Sequence, residues 1–337
     1  MLKYVLRRIL QMIPVFIGVT LILFTLRIPG ILPGDPIKLI AGERPLPEGT
    51  RRAIMEENHL DDPVYVQYYE YLKGISKGAQ FEIVDGTLVS KLDLGESYQK
   101  NRPVRDILFD KFPNTFRLAV AAILVEIVIG LLAGIISAVK QYSFWDVLVT
   151  LSTSILVSVP VFWLGLLLQM FFGIKLKQLT GGAVFLPITG MGNPPDIVHL
   201  ILPAITLASV STAYVARIMR SQMLEAMGQD YIRTAMAKGL TERAVVFKHA
   251  LKNALIPVVT FIGIDLGALM SGAILTESIF SWPGVGREIF LAVMQRDWPV
   301  VMGGVIIIVI IVMFVNLAVD ISYALLDPRI RYGGAAE

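Results

Sequence analysis

Six long apolar stretches constrain this chain more than any other feature of its sequence. A helix needs roughly 20 mostly apolar residues to cross a hydrocarbon core of about 30 Å. The stretches that qualify are residues 9–28, 115–139, 147–174, 198–219, 254–276 and 300–325. Charged residues make up only 17% of the chain, against about a quarter in soluble domains, because apolar residues fill these runs. The sequence therefore predicts an all-α polytopic membrane protein with about six transmembrane helices.

The first apolar stretch follows Lys3, Arg7 and Arg8, as the apolar region of a signal peptide also does. Its length, and the lack of a small-x-small cleavage site ahead of Pro33-Gly34-Asp35-Pro36, favour an uncleaved helix instead. We therefore expect residues 1–28 to form an N-terminal tail and the first transmembrane helix.

Lysine and arginine predict the orientation of the helices, since short cytoplasmic loops carry an excess of them. With the N-terminus inside, the cytoplasmic segment 220–253 holds six of them: Arg220, Arg233, Lys238, Arg243, Lys248 and Lys252. The tail 327–337 adds Arg329 and Arg331, so we expect both termini in the cytoplasm. The basic residues form no single stripe with aromatic residues, so nucleic acid is not indicated as a partner.

The segment 29–114 is predicted to lie outside the membrane and to be folded. Asp62 and Pro63 suit the N-cap and the first position of a short helix that runs from Val64 to Gly74. The alternation of residues 81–89 around Asp85-Gly86 predicts a small β-hairpin.

The segment 220–253 has a pattern that a plain connecting loop does not need. One apolar helix face is predicted by four residues at helical spacing: Ile232, Ala235, Met236 and Gly239. Gly239 also suits a left-handed helix end, and Thr241 can cap a second helix with Glu242 in its first turn. Orientation alone explains the positive charge of this loop, but it does not explain a capped, amphipathic helix–turn–helix.

This helix–turn–helix resembles the EAA loop of binding-protein-dependent ABC importers. The matched positions are Arg233-Thr234-Ala235, Gly239, Leu251 and Pro257, with Arg233 in place of the usual glutamate. The run YIRTAMAKGL looks like the form found in peptide and nickel permeases. Further likeness extends along nearly the whole chain, in PGDP after the first stretch, DLGES, TESIFSWPGVGREI, RDWPVVMGG and VDISYALLDPRIR. The chain is therefore similar to the B-type permease subunit of dipeptide and oligopeptide importers, which implies a type I ABC importer permease core over residues 115–326.

The resemblance implies that the first arm of the loop is a coupling helix that docks on a separate ATPase subunit. Small Ala235 and Ala237 would allow close approach, and Arg233 and Lys238 would pair with acidic residues of the partner. The residues expected to take part are Asp230, Tyr231, Arg233, Thr234, Ala235, Ala237, Lys238, Gly239 and Leu240.

The chain is expected to be non-catalytic. Its sequence has no GxxxxGK[ST] phosphate loop, no HExxH or GxSxG motif and no cysteine, and His199 and His249 are not spaced as a metal pair. We therefore expect no catalytic residue, metal or cofactor in this chain, with ATP and Mg bound by partner subunits. The resemblance implies a bacterial or archaeal cytoplasmic membrane as its location. The implied partners are membrane lipid, a second homologous permease, one or two ATPase subunits and an extracytoplasmic substrate-binding protein.

Polar residues inside the predicted helices are candidates for a translocation pathway, because charged groups at membrane depth usually face a cavity or a partner. The candidates are Asp265, Glu126 and Ser271, whereas Asp320 lies near a helix end and is expected to be interfacial. Trp282 and Pro283 are expected either to form an external gate or binding-protein contact, or to anchor the chain at the outer interface.

Peptide cargo is one of several possibilities that the sequence leaves open. Nickel chelates or oligosaccharides use related permeases. A self-sufficient secondary carrier would show broken helices near the midplane and often an internal repeat, and neither is visible in the sequence. A membrane-embedded enzyme is disfavoured because no paired catalytic residues occur within the apolar stretches.

Overall fold

The computed structural model describes residues 2–27, 47–57, 61–84, 87–90 and 92–326. Three predicted features lie outside them: the Pro33-Gly34-Asp35-Pro36 motif, the Asp85-Gly86 turn and the tail 327–337 with Arg329 and Arg331. The described residues are mainly helical, as predicted, and include a two-stranded antiparallel hairpin in which Val84 lies opposite Thr87.

The helices form in the following order, with the hairpin strands between α3 and α4. They are α1 (Leu2–Arg27), α2 (Glu48–Glu57), α3 (Val64–Ser76), β1 (Phe81–Val84), β2 (Thr87–Ser90), α4 (Val104–Val125), α5 (Leu131–Val139), α6 (Phe144–Ser158), α7 (Val161–Leu168), α8 (Leu176–Leu179), α9 (Val198–Met227), α10 (Asp230–Ala237), α11 (Glu242–Ala244), α12 (Leu251–Ile279), α13 (Val285–Gln295) and α14 (Trp298–Leu326). Short π-helical segments join α4 to α5 (Glu126–Gly130), α7 to α8 (Gln169–Lys175) and α11 to α12 (Val245–Ala250).

Length and apolar composition identify the helices that can cross a membrane. Among the described residues, five continuous stretches qualify: Val5–Thr25, Val104–Val139, Val198–Met227, Glu242–Ser271 and Trp298–Ile321. A sixth candidate is a pair of stretches, Phe144–Ser158 and Val161–Leu179, that meet at an angle of 110°. The prediction of about six transmembrane helices is confirmed when this bent pair counts as one span.

The prediction of an unbroken third helix over residues 147–174 is wrong. α6 ends at Ser158, and Val159 has an extended backbone with ψ of 127°. Pro160 follows, and α7 begins at Val161. A proline pushes the preceding residue out of the helical region and lacks an N–H for the helix, so the break falls here although the apolar run continues.

Two other spans begin well before the residue that the sequence predicts. The second was expected from residue 115 and the fifth from residue 254, but their helices begin at Val104 and Glu242. Hydropathy finds only the apolar part of a helix, whereas the backbone hydrogen bonds continue through the polar residues before it.

The chain divides into two compact units, of which the first comprises Asn114–Pro283 and Val312–Glu337. α9 is its central helix and packs against α5, α6, α7 and α12. A Cβ added at Gly134 of α5 would lie 2.6 Å from the carbonyl oxygen of Ala216 in α9. These two helices therefore approach as closely as glycine allows, in the manner of membrane helices that pack through small residues.

The second unit comprises Leu2–Pro113 and Gly284–Ile311. Its core is formed by buried apolar residues of α1, α3, α4, α13 and α14, including Leu23, Ile75, Leu108, Ile289 and Ile306. The helix predicted from Val64 to Gly74 is present as α3. Its cap was predicted wrongly, because Pro63 occupies the N-cap position and makes no side-chain cap bond.

Candidate functional site

α10 and α11, with the π-helical segment that follows, form a hairpin over residues 230–250, called the α10–α11 hairpin below. Its turn is centred on Gly239, whose φ of +75° is left-handed and whose N–H donates to the carbonyl of Met236 at 2.9 Å. The Thr241 side chain then accepts a hydrogen bond from the N–H of Ala244 at 3.4 Å. The left-handed turn and the threonine cap predicted from the sequence are both confirmed.

Only part of the apolar face predicted for α10 is buried. Ile232 and Ala235 are buried in a cluster with Val245 and Val246. These two valines belong to the return arm of the hairpin, which consists of α11 and the π-helical segment Val245–Ala250. Met236 is 50% exposed and Gly239 is also exposed, so these two members of the predicted apolar face are not buried. Successive residues turn about 100° around a helix, so the return arm after an eight-residue helix covers only the side with Ile232 and Ala235.

The remaining predicted coupling residues are exposed on the α10–α11 hairpin. They are Asp230, Tyr231, Arg233, Thr234, Ala237, Lys238 and Leu240. The guanidinium of Arg233 lies 3.5 Å from the carboxylate of Asp230, but both side chains are largely in solvent. The exposed set therefore combines apolar side chains with cations, and Ala235 allows close packing within this chain.

The Tyr231 ring has a defined position. The Asn253 side-chain amide, at the start of α12, donates to its hydroxyl at 2.9 Å. From Glu242 the chain is helical without a break through the π-helical segment into α12. The return arm of the hairpin and the candidate membrane-spanning helix α12 are therefore one continuous helical element.

A buried polar cluster lies where α5, α6 and α9 meet. The carboxylate of Asp146 accepts hydrogen bonds from the Arg220 guanidinium, the Ser137 hydroxyl at 2.5 Å and the N–H of Tyr142 at 2.9 Å. Arg220 also donates to the Ser137 oxygen at 3.0 Å. The cluster ties α9, which leads into the hairpin, to α5 and α6.

The sequence reasoning missed Asp146 and Ser137, although a signal was present. Ser143 and Asp146 stand three residues apart at the start of an apolar run, which is a capping pattern, and Ser143 does accept from the N–H of Asp146 at 3.5 Å. Arg220, close to the apolar part of α9, also calls for a buried anionic partner.

The structure brings together two of the three predicted pathway residues. Glu126 is fully buried in the π-helical segment between α4 and α5, and its carboxyl group interacts with that of Asp265 on α12. Ser271 lies elsewhere on α12, where it is exposed and donates to the carbonyl of Ala268 at 2.9 Å. On the same helix, Gly263 faces Val319 of α14.

Trp282 and Pro283 lie in a hydrogen-bonded junction of the first unit. Trp282 is only 2% exposed, and its indole N–H donates to the carbonyl of Asn114 at 2.9 Å. The Asn114 amide donates in turn to the carbonyl of Pro283 at 2.9 Å. Next to them, the Thr115 hydroxyl donates to Glu277 at 2.7 Å, and both residues are buried. The alternative that Trp282 anchors the chain at the membrane interface is wrong, because a buried ring does not meet lipid head groups.

Asp196 and His199 form a polar pair at the start of α9 that the sequence reasoning did not identify. The backbone N–H and the ring of His199 both lie within hydrogen-bonding distance of the Asp196 carboxylate, at 2.9 and 2.6 Å. These hydrogen bonds, first that of the backbone N–H, hold the pKa of Asp196 below its usual value. The pair stabilises the beginning of the helix.

Comparison with known proteins gives full-length similarity. Residues 130–332 match the family model of the binding-protein-dependent transport system inner membrane component. Residues 1–119 match the model of the N-terminal part of binding-protein-dependent transport system membrane components. The dipeptide transport system permease protein DppB of Alkalihalophilus pseudofirmus is 40% identical over 98% of this chain and 100% of its own length. DppB of Escherichia coli is also 40% identical, over 98% of this chain and 99% of its own. The oligopeptide transport system permease protein AppB of Bacillus subtilis is 37% identical, over 98% and 100%.

Solved structures with a similar fold include inward-facing conformations of the MetNI methionine ABC transporter. Two of them cover 66% of this chain, with TM-scores of 0.52 and 0.53 and sequence identities of 19% and 18%. They are themselves covered to 97% and 96%. The predicted fold of the helical core, that of a type I ABC importer permease, is thereby confirmed.

Proposed function

This chain belongs to the family of binding-protein-dependent transport system inner membrane components, and we propose that it is the permease subunit of an ATP-driven importer of dipeptides or oligopeptides. The observation that carries the cargo assignment is its 40% identity, over nearly the full length, to permeases of dipeptide transport systems. The similarity extends over both units of the chain, so the assignment does not depend on the helical core alone.

The α10–α11 hairpin is proposed to be the element through which ATPase subunits drive transport. Tyr231, Met236 and Leu240 offer exposed apolar contacts, and Arg233 and Lys238 add positive charge beside them. Exposed ion pairs contribute only about 0–1 kcal/mol each, so the cations orient the partner while the apolar residues supply most of the contact free energy. In this proposal ATP and Mg bind to the partner subunits, and this chain performs no catalysis.

Two features support a mechanical role for the hairpin. Its return arm continues without a break into α12, and the helix before it, α9, is tied to α5 and α6 by Arg220 and Asp146. A push on the hairpin therefore acts on several membrane helices together. ATP binding to the partner subunits would shift the equilibrium between the inward- and outward-open states of the permease. It would do so because the ATP-bound partners have a different affinity for each state.

The proposal also includes an orientation and a set of partners. The hairpin, with its basic residues, faces the cytoplasm together with both termini, and residues 29–114 lie outside. A second homologous permease, one or two ATPase subunits and an extracytoplasmic binding protein complete the importer. Glu126, Asp265 and Ser271 are proposed to act along the pathway, and Trp282 and Pro283 at its outer end.

Purification and uptake test this function. A tagged chain, purified from the membranes of its own organism, is expected to bring down ATPase subunits. The complex in liposomes should import a labelled dipeptide only with ATP and the binding protein. Thermal shifts of the binding protein with peptides, nickel chelates and oligosaccharides then identify the cargo. Uptake by the chain alone, without an ATPase, would support a secondary carrier and overturn the proposal.

A further inference from the structure

Two carboxyl groups meet inside the membrane-spanning part of the first unit, and no cation among the described residues is paired with them. Glu126 lies in the span Val104–Val139 and is 0% exposed, and neither of its carboxyl oxygens has a hydrogen-bond partner among the described residues. Asp265, in the span Glu242–Ser271, interacts with Glu126, and its Oδ2 is likewise buried without a hydrogen bond in the described part of the chain. The Ser211 hydroxyl of α9 also interacts with Asp265.

The charged residues of the packed helices do not neutralise this pair. α9 packs against both α12 and the π-helical segment Glu126–Gly130. It carries His199, Arg217, Arg220 and Glu225. Arg217 donates to Thr153 and Ser154, and Arg220 donates to Asp146. α14 contacts α12 near Gly263 and contributes a carboxyl group, Asp320, rather than a cation. Among the described residues, no group of three histidine, cysteine or acidic side chains could hold a metal ion.

An ionised Glu126 has a high free energy in this place, because its carboxylate has lost water and gains neither a hydrogen bond nor a positive partner among the described residues. Two adjacent carboxylates add mutual repulsion, and neighbouring acids of this kind share protons instead of both ionising. The lowest free energy belongs to a state in which one carboxylic O–H donates a hydrogen bond to the other carboxyl group. To reach this state the pair takes up a proton from water, and no covalent bond of the protein breaks.

We infer that Glu126 and Asp265 form a single proton-binding site between α12 and the π-helical segment, and that it holds at least one proton in this conformation. The ligand is the proton itself. If the helices separate during transport, water reaches the carboxyl groups and the proton leaves, and the two carboxylates then repel each other. Protonation therefore favours the closed contact, and a rise in pH favours the separated one.

Infrared spectroscopy tests the site directly on the full-length chain held in lipid nanodiscs. A protonated carboxyl group absorbs separately from the many ionised ones at neutral pH. We expect the wild type to show this carboxylic acid band at neutral pH and to lose it in alkaline buffer. The double variant Glu126→Gln with Asp265→Asn should lack the band at neutral and alkaline pH. The matched control Asp320→Asn removes another carboxyl group of a membrane helix and should keep it.

The wild-type titration decides the question even where a variant fails to fold. A wild-type spectrum without a carboxylic acid band at neutral pH overturns the inference, as does a band that the double variant retains. The measurement needs no transport, so it is independent of the proposed function. A second readout does depend on that function: ATPase activity stimulated by the binding protein should vary with pH in the wild type and lose that component of its pH profile in Glu126→Gln.

Discussion

Arg220 and Asp146 are joined by two parallel hydrogen bonds, from Nε and one terminal nitrogen of the guanidinium to the two carboxylate oxygens, each 2.8 Å long. This bidentate geometry is the strong form of such an ion pair, because two charge-assisted hydrogen bonds form in parallel. The Asp146 side chain is 7% exposed and that of Arg220 is 30% exposed. The pair is thus largely removed from water at the point where α9 approaches the α10–α11 hairpin.

Arg220→Ala is expected to lower the free energy of unfolding by about 3 kcal/mol, because it leaves a buried carboxylate without its cation. Arg220→Lys should lower the free energy of unfolding by a smaller amount, since an ammonium group keeps the charge but cannot form the two parallel bonds. Thermal unfolding in detergent measures both. Arg243→Ala, at an exposed position of α11, is the control and should change stability by less than about 0.5 kcal/mol. Equal stability of Arg220→Ala and this control would show that the pair contributes nothing.

Gly239 offers a test of the hairpin turn in which sterics and backbone conformation are separable. A Cβ at this position meets nothing within 4 Å, so only the left-handed φ of +75° resists substitution. Asparagine tolerates this conformation, whereas a β-branched residue does not, and the left-handed region costs ordinary residues about 1–2 kcal/mol. We expect uptake to be retained in Gly239→Asn, reduced in Gly239→Ala and abolished in Gly239→Val. Uptake at the wild-type rate in the valine variant counts against a coupling role for the turn.

The difference between Gly239 and the acid pair shows what the sequence can predict. A left-handed turn is encoded locally, because glycine, the preceding helical pattern and Thr241 all lie within a few residues. The meeting of Glu126 and Asp265 is not local. The sequence shows that each acid is costly in a membrane, but it does not show which faces of two distant helices come together.

Exposure of Met236 and burial of Ala235 illustrate the same limit at short range. Both belong to one apolar helical stripe in the sequence, and this stripe predicts an apolar face but not the width of the part that is buried. The width depends on how the return arm with Val245 packs, which is a tertiary property. Pro160 is the opposite case, because its residue type already marks a break that the continuous apolar run concealed.

Met236 and Ile232 separate docking from folding, because they lie on the same short helix with opposite exposure. Met236→Asp is expected to reduce co-purification of the ATPase subunits several-fold with little change in unfolding temperature, since its side chain is half in solvent. Ile232→Ala should instead destabilise the chain by about 2–5 kcal/mol, because Ile232 is fully buried. Arg233→Ala should weaken the complex less than Met236→Asp, and more at low salt than at high salt. Unchanged ATPase binding in Met236→Asp would remove this side of α10 from the proposed interface.

Trp282 is expected to act as a structural link at the outer end of the first unit, because its ring is buried and its N–H is bonded to the carbonyl of Asn114. Trp282→Phe keeps an aromatic ring but leaves that carbonyl without its donor, so we expect a loss of about 1–2 kcal/mol in unfolding free energy. Trp163→Phe, at a half-exposed position of α7, is the matched control and should have little effect. Affinity for the extracytoplasmic binding protein should be the same in both variants, since a residue with 2% exposure offers no surface for docking. If Trp282→Phe weakened that affinity while the unfolding temperature stayed constant, Trp282 would have to become accessible during transport, and the junction with Asn114 would then be a gate that opens.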